Sequence, residues 1–245
     1  MMKIMEKFKQ KNESLYGAEP VTIATLGDSV TQGCFEVFWK APGVMETVFE
    51  QENSYGAHLK RILGHIYPQV PVNLIPAGLS GDSAKGGLLR LERDVLRYCP
   101  DLTVVSFGLN ECLSLGRDGV SRYGDVLREL FDRLQAAGSE VIFITQNYMN
   151  TKVSPHLTDP EMRAFAERTA KSQNDGTLKA YYEEAKRVCA EKGVVVCDLY
   201  STWEAMEKSG ADVTDLLSNY LNHPKREYHA YMAMKIVEKM LGVDP

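Results

Sequence analysis

The sequence has no paired cysteines, no long apolar run and no concentrated block of charge. Its five cysteines (34, 99, 112, 189 and 197) are odd in number and form no Cys-x-x-Cys pair. A disulfide framework and a zinc site are therefore both unexpected, and reduced thiols suit a cytoplasmic protein. No window approaches the roughly 18 apolar residues of a membrane span. The first twenty residues hold lysines without the apolar core of a signal peptide. Lysine and arginine (28 together) are scattered among 33 acidic residues, leaving a formal net charge of −5. That balance argues against a nucleic-acid partner, which wants a basic face. Oligomeric state has no signature here.

What is present is ordinary for a globular chain of 245 residues: 44% hydrophobic and 25% charged. Short apolar runs rich in β-branched residues occupy 21–26, 70–75, 102–107, 141–145 and 194–199, each bounded by Gly, Pro, Asn or Asp. Their continuous hydrophobicity predicts strands covered on both faces. Between them, apolar residues recur at helical spacing over 55–66, 88–98, 123–137, 178–191 and 228–241. Strand alternating with helix predicts an α/β fold: a single-domain, doubly wound, flavodoxin-like parallel sheet of five strands with helices on both faces. No linker divides the chain. Residues 1–245 are read as one domain, with 1–19 as an N-terminal extension. In such sheets the site lies where strands end, near the switch in strand order.

The loops at those strand ends carry the polar residues. After the first strand comes Gly27-Asp28-Ser29-Val30-Thr31-Gln32-Gly33. Asp and Ser there can simply cap a helix. Alternatively, a tight strand-to-helix turn exposes the Ser29 hydroxyl and aims its N–H at a developing oxyanion. The lipase elbow Gly-x-Ser-x-Gly does not occur, so a common α/β-hydrolase is not indicated. After the second strand comes Pro76-Ala77-Gly78-Leu79-Ser80-Gly81-Asp82-Ser83. Its glycines can mean no more than a loop needing positive φ. Gly81 and Gly86 have the spacing of a phosphate loop, but Gly87 and Leu88 follow where Lys and Ser/Thr should be, so the nucleotide reading fails at its most informative position.

After the third strand comes Gly108-Leu109-Asn110-Glu111. Asn110 is either a turn former or an amide donor aimed into a cleft. Of five histidines, His58 and His65 fall in the 55–66 helix, His156 in a polar loop and His229 inside the last helix, where packing or a place behind the site explains it. His223, in Leu221-Asn222-His223-Pro224, alone occupies a strand-end loop and is the candidate general base.

In their order and spacing, these four blocks resemble the SGNH, or GDSL-type, serine hydrolases, over most of the chain from Gly27 to His223. The resemblance implies a carboxylic ester hydrolase, needing no cofactor or metal, that acts on a small-molecule ester. Ser29 would be the nucleophile and His223 its base. The Ser29 N–H, Gly81 and Asn110 would form the oxyanion hole. The family usually places Asp three residues before the His, and here that position is Tyr220. Either an inserted residue shifts the register, or Asp215 or Asn219 takes the place of the acid, or the site is a dyad whose ring is oriented by a backbone carbonyl or water. Glu111 stands where the family commonly has Asp, and is expected to support the site from behind.

The acyl preference is open. No long greasy channel is evident, and resemblance to carbohydrate-deacetylating relatives points to short acyl groups such as acetyl on a sugar. An acyl-chain lipase, lysophospholipase or thioesterase of the same family is the alternative. So is a catalytically silent binding protein on this scaffold; a flavin or nucleotide binder rests on fold alone. Residues 35–39 (Phe-Glu-Val-Phe-Trp) would be a pocket wall, a packed loop or a dimer contact. The polar stretch 148–175 would be a cover over the site or a surface excursion.

Overall fold

A computed structural model describes residues 1–41 and 44–243. In chain order the elements are α1 (Lys3–Glu13), β1 (Val21–Gly27), α2 (Ser29–Gln32), β2 (Cys34–Ala41), β3 (Val44–Phe49), α3 (Tyr55–Ile66), β4 (Val72–Gly78) and α4 (Ala84–Asp94). There follow β5 (Leu102–Ser106), α5 (Leu109–Leu115), α6 (Val120–Ala136), β6 (Glu140–Thr145), α7 (Pro160–Asn174), α8 (Thr177–Lys192), β7 (Val195–Asp198), α9 (Leu199–Lys208) and α10 (Arg226–Leu241).

Five strands form one parallel sheet in the order β4-β1-β5-β6-β7, and β2 and β3 form a separate antiparallel hairpin. The doubly wound five-stranded sheet expected from sequence is therefore present. β5 is fully buried, and every residue of β6 after Glu140 is buried, as continuous Val/Ile/Phe runs require. Helices α1, α3 and α10 associate on one face, while α4, α6 and α8 associate on the other. On α6 the buried residues Tyr123, Leu127, Leu130, Phe131 and Leu134 repeat at helical spacing and make one apolar stripe. Among the described residues no helix is long and apolar enough to cross a membrane, and all five cysteines are free thiols.

Several boundaries differ from the sequence expectation. The second strand runs three residues further than 70–75 because its interior Pro76 costs no ladder hydrogen bond: β4 is an edge strand that pairs only with β1. The helix expected over 88–98 begins instead at Ala84, where Ser83 caps it by accepting from the Gly86 N–H. It closes at Asp94, and a separate short turn covers Leu96–Tyr98. The last strand stops at Asp198, whose side chain accepts from the Ser201 N–H and starts α9.

Residues 1–19, set apart as an extension, contain α1, which buries Ile4, Met5 and Phe8 in the main core. Each such burial contributes about 1.5–3 kcal/mol. Helix α7 lies within the stretch read as a cover or an excursion. It is capped by Asp159, which accepts from the Met162 N–H, and has Pro160 at its first position.

The order of strands sets the site. The chain leaves β1 for β4 on one side, then returns to β5 on the other, so the loops following β1, β4 and β5 meet at one sheet edge.

Candidate active site

Ser29 sits where β1 turns abruptly into α2. A side chain at Gly27 would place its Cβ 2.0 Å from Thr31 Oγ1 and 2.6 Å from the Ser106 carbonyl, so only glycine permits this turn. Asp28 is the cap, its Oδ1 accepting from the Val30 N–H at 3.0 Å. The helix-cap reading of the motif therefore holds for Asp28. Ser29 is the first residue of α2, a position whose N–H has no acceptor inside the helix, and none is present among the described residues. The cap and an unengaged N–H therefore sit on adjacent residues.

Gly81 has φ of +77°, a conformation that disfavours other residues, and its N–H also lacks a protein acceptor among the described residues. Asn110, the second residue of α5, donates one of its two amide hydrogens to the Asp82 carbonyl at 2.8 Å. That bond orients the amide and leaves the second hydrogen for another acceptor. Ser29, Gly81, Asn110 and His223 all line one cleft of about 480 Å³. The structure thus brings together the residues that the sequence singled out.

His223 reaches the site from the loop before α10. Its Nε2 lies 2.9 Å from Ser29 Oγ, and its Nδ1 lies 2.9 Å from the main-chain oxygen of Phe35. A carbonyl only accepts, so Nδ1 carries the hydrogen and Nε2 is left to accept from the Ser29 hydroxyl. Burial pushes the His223 pKa down to about 4, opposed by the Phe35 carbonyl and by the charge of Glu36. The ring is therefore neutral at ordinary pH.

Among the described residues no carboxylate touches the imidazole. Asp215 lies in the short turn Val213–Leu216 and makes no bond to His223. Asn219 acts on the loop itself: its Oδ1 accepts from the N–H groups of Leu221, Asn222 and His223, each at 3.0 Å. Tyr220, at the usual acid position, has φ of +55° and stacks on His156, with ring centroids 5.3 Å apart. Of the arrangements left open by the sequence, a histidine oriented by a backbone carbonyl is the one present. His229 is fully buried and its Nδ1 accepts from the Tyr55 N–H at 3.1 Å, as expected for a packing residue.

Three residues hold the loops in place, and two of them, Arg90 and Gln146, were not read from the sequence. Arg90 is almost wholly buried and donates to the carbonyls of Gly27 (3.1 Å) and Ala77 (2.8 Å), and to Asp82 Oδ2 (2.7 Å). It thereby ties the ends of β1 and β4 to the Gly81 loop. Gln146, just after β6, donates Nε2 to both oxygens of Asp28. Glu111 accepts from the N–H groups of Ala84 and Gly108, joining the second and third loops, which matches its expected supporting place. Burial raises Asp28 and Glu111 to about 7 each, against their hydrogen bonds, which lower them. Arg90 falls within the 88–98 stretch of helical spacing, and nothing local there marks an arginine that turns inward.

Hairpin and helix form the cleft walls. Val37 pairs with Thr47 and Trp39 with Met45, so these four share one hairpin face, and all of them line the cleft. Opposite them stand Met162, Phe165 and Arg168 of α7, and the two walls join through a small apolar cluster with Leu221. Residues 35–39 are thus part of a strand with a pocket-facing side, and 148–175 contributes the facing wall.

The sequence profile of the GDSL-like lipase/acylhydrolase family matches residues 25–231. A sequence comparison with curated proteins finds no match. Among solved structures, an acetyl xylan esterase is similar with a TM-score of 0.65 and 20% identity, over 89% of this chain and 99% of that one. A two-domain esterase active on acetylated mannans is similar with a TM-score of 0.70 and 19% identity. That match covers 98% of this chain but 52% of the esterase. A lipase/acylhydrolase from Enterococcus faecalis gives 0.65 and 22%, over 91% and 96%. These likenesses are of fold; the profile spans most of the chain, and with it the chain belongs to the GDSL-like lipase/acylhydrolase family.

Proposed function

We propose that the protein is a serine esterase that hydrolyses carboxylic esters through an acyl-serine intermediate. The observation that carries this is the 2.9 Å contact between Ser29 Oγ and the neutral Nε2 of His223, at the base of an open cleft. His223 takes the Ser29 proton as Oγ attacks the ester carbonyl. The oxyanion is received by the N–H groups of Ser29 and Gly81 and by Asn110 Nδ2. His223 then gives its proton to the leaving alcohol. Water repeats the sequence on the acyl-serine, which releases the acid and restores Ser29.

The preferred substrates are short acyl esters, acetyl above all, on a carbohydrate or other small molecule. Two things support this: fold neighbours whose own substrates are acetylated xylan and mannans, and a cleft walled by Trp39 and Phe165 with polar groups between. Five unbridged thiols suit work in a reducing compartment.

Intact-mass analysis after fluorophosphonate treatment tests the chemistry. One adduct is expected on wild type, none on Ser29→Ala and much slower labelling on His223→Ala. A folded wild type that takes no adduct would instead favour a silent binding protein, a reading motivated by the missing carboxylate. Hydrolysis of p-nitrophenyl esters tests the acyl preference; rates that climb from two to eight carbons would favour a lipase.

A further inference from the structure

The acceptor on His223 Nδ1 belongs to the peptide unit between Phe35 and Glu36, at the start of β2. A carbonyl has no side chain of its own to aim it, so neighbouring groups must hold that peptide against the ring. Both side chains flanking it meet one guanidinium. Arg226 Cζ lies 4.3 Å from the centre of the buried Phe35 ring. Its Nη1 and Nη2 donate to the two oxygens of Glu36 at 2.7 and 3.0 Å.

Arg226 also closes the other side. Its Nε donates to Glu50 Oε2 at 2.7 Å, and Nη2 donates to Glu50 Oε1 as well. The Glu50 N–H in turn donates to the carbonyl of Gly33, which ends the helix begun by Ser29. Arg226 itself opens α10, three residues after His223. One side chain therefore joins the segment that carries the imidazole to the segment that carries its acceptor, and to the turn that carries the nucleophile.

We infer that Arg226 is a positioning residue, which with Glu36 and Glu50 locks the Phe35 carbonyl onto His223 Nδ1 and so replaces the orienting acid. The inference rests on the esterase reading for its kinetic consequence, but not for the geometry itself. A planar fork is needed to hold two carboxylates and a ring face at once, which an ammonium cannot do. One cation between two carboxylates also leaves this cluster with net negative charge. An imidazolium forming at His223 would gain from that charge, as it would from an acid.

The test uses the full chain, with p-nitrophenyl acetate hydrolysis and the proton NMR signal of the His223 Nδ1–H as separate readouts. In Arg226→Ala, kcat is expected to fall about 100-fold with KM within twofold, as for a misplaced catalytic group. The Nδ1–H signal should broaden into exchange. Arg226→Lys should recover less than a tenth of the loss. Arg128→Ala, which breaks a surface ion-pair cluster on α6, should change neither readout. Should Arg226→Ala not fold, Glu36→Gln serves instead, with a smaller fall in kcat and a shifted Nδ1–H signal. Loss of the signal supports the clamp whether or not Ser29 reacts with phosphonate. An unchanged signal with kcat within twofold of wild type overturns it.

Discussion

His223 Nδ1 lies 2.9 Å from the main-chain oxygen of Phe35, 188 residues earlier in the chain. A carbonyl in that place fixes the tautomer as a carboxylate would, because it can only accept. It differs in carrying a partial rather than a full charge, so less of the imidazolium's energy is recovered during proton transfer. Three consequences of this site can be measured.

Asn110 tests the proposed oxyanion hole. Its side chain spends one N–H on Asp82 and holds the other in the cleft. Replacement of Asn110 by Ala should lower kcat by about 10²–10³, the cost of one such donor, with little change in KM. Steady-state kinetics with p-nitrophenyl acetate checks this. A fall seen mainly in KM would mean that the amide binds the ground state.

The pH profile tests the base. Only neutral His223 can accept the Ser29 proton, and burial holds its pKa at about 4 rather than 6.5. The kcat/KM of the free enzyme should therefore stay level from neutral pH downward and fall only near pH 4, tenfold per unit below it. A midpoint near 6.5 would show instead that the ring is solvated or faces an anion in solution. Stability follows the same group. Unfolded histidine takes a proton below about 6.5 while His223 in the fold does not, so stability is lost as pH falls from there to about 4. Asp28 and Glu111 act in the opposite sense, since their raised pKa values favour the fold as pH drops below 7.

Arg90 tests the frame beneath the site. Its guanidinium and Asp82 are both nearly buried, and the same group satisfies two strand-end carbonyls. Arg90→Met should cost about 3–5 kcal/mol, as removal of one partner of a buried pair does. Urea unfolding read by fluorescence would give this value. A loss under 1 kcal/mol would show that water replaces the guanidinium freely.

Much of the site was legible because its parts are side chains in loops at strand ends. Ser29, Gly81 and Asn110 follow β1, β4 and β5 within a few residues, and continuous apolar runs rich in β-branched residues located those strands. His223 stood out as the histidine that no helix or polar surface loop explained. Arg90 and Gln146 were not legible. Each lies 63 or more residues from a partner it bonds, and nothing local distinguishes a helix arginine that turns inward from one that turns out. Helix α7 was hidden by its polar composition, since it buries a narrow face set by Met162, Ala166 and Thr169.

The sequence by itself determined the parallel sheet, the loop that bears the proposed nucleophile and the histidine proposed to serve it, because hydrophobic pattern and loop chemistry are properties of adjacent residues. Only the tertiary structure decided what the far side of that histidine touches. Every residue carries a main-chain oxygen, so no letter of the sequence marks Phe35 as an acceptor. The choice is made by how β2 packs against the loop before α10, with Arg226 bonded across the gap.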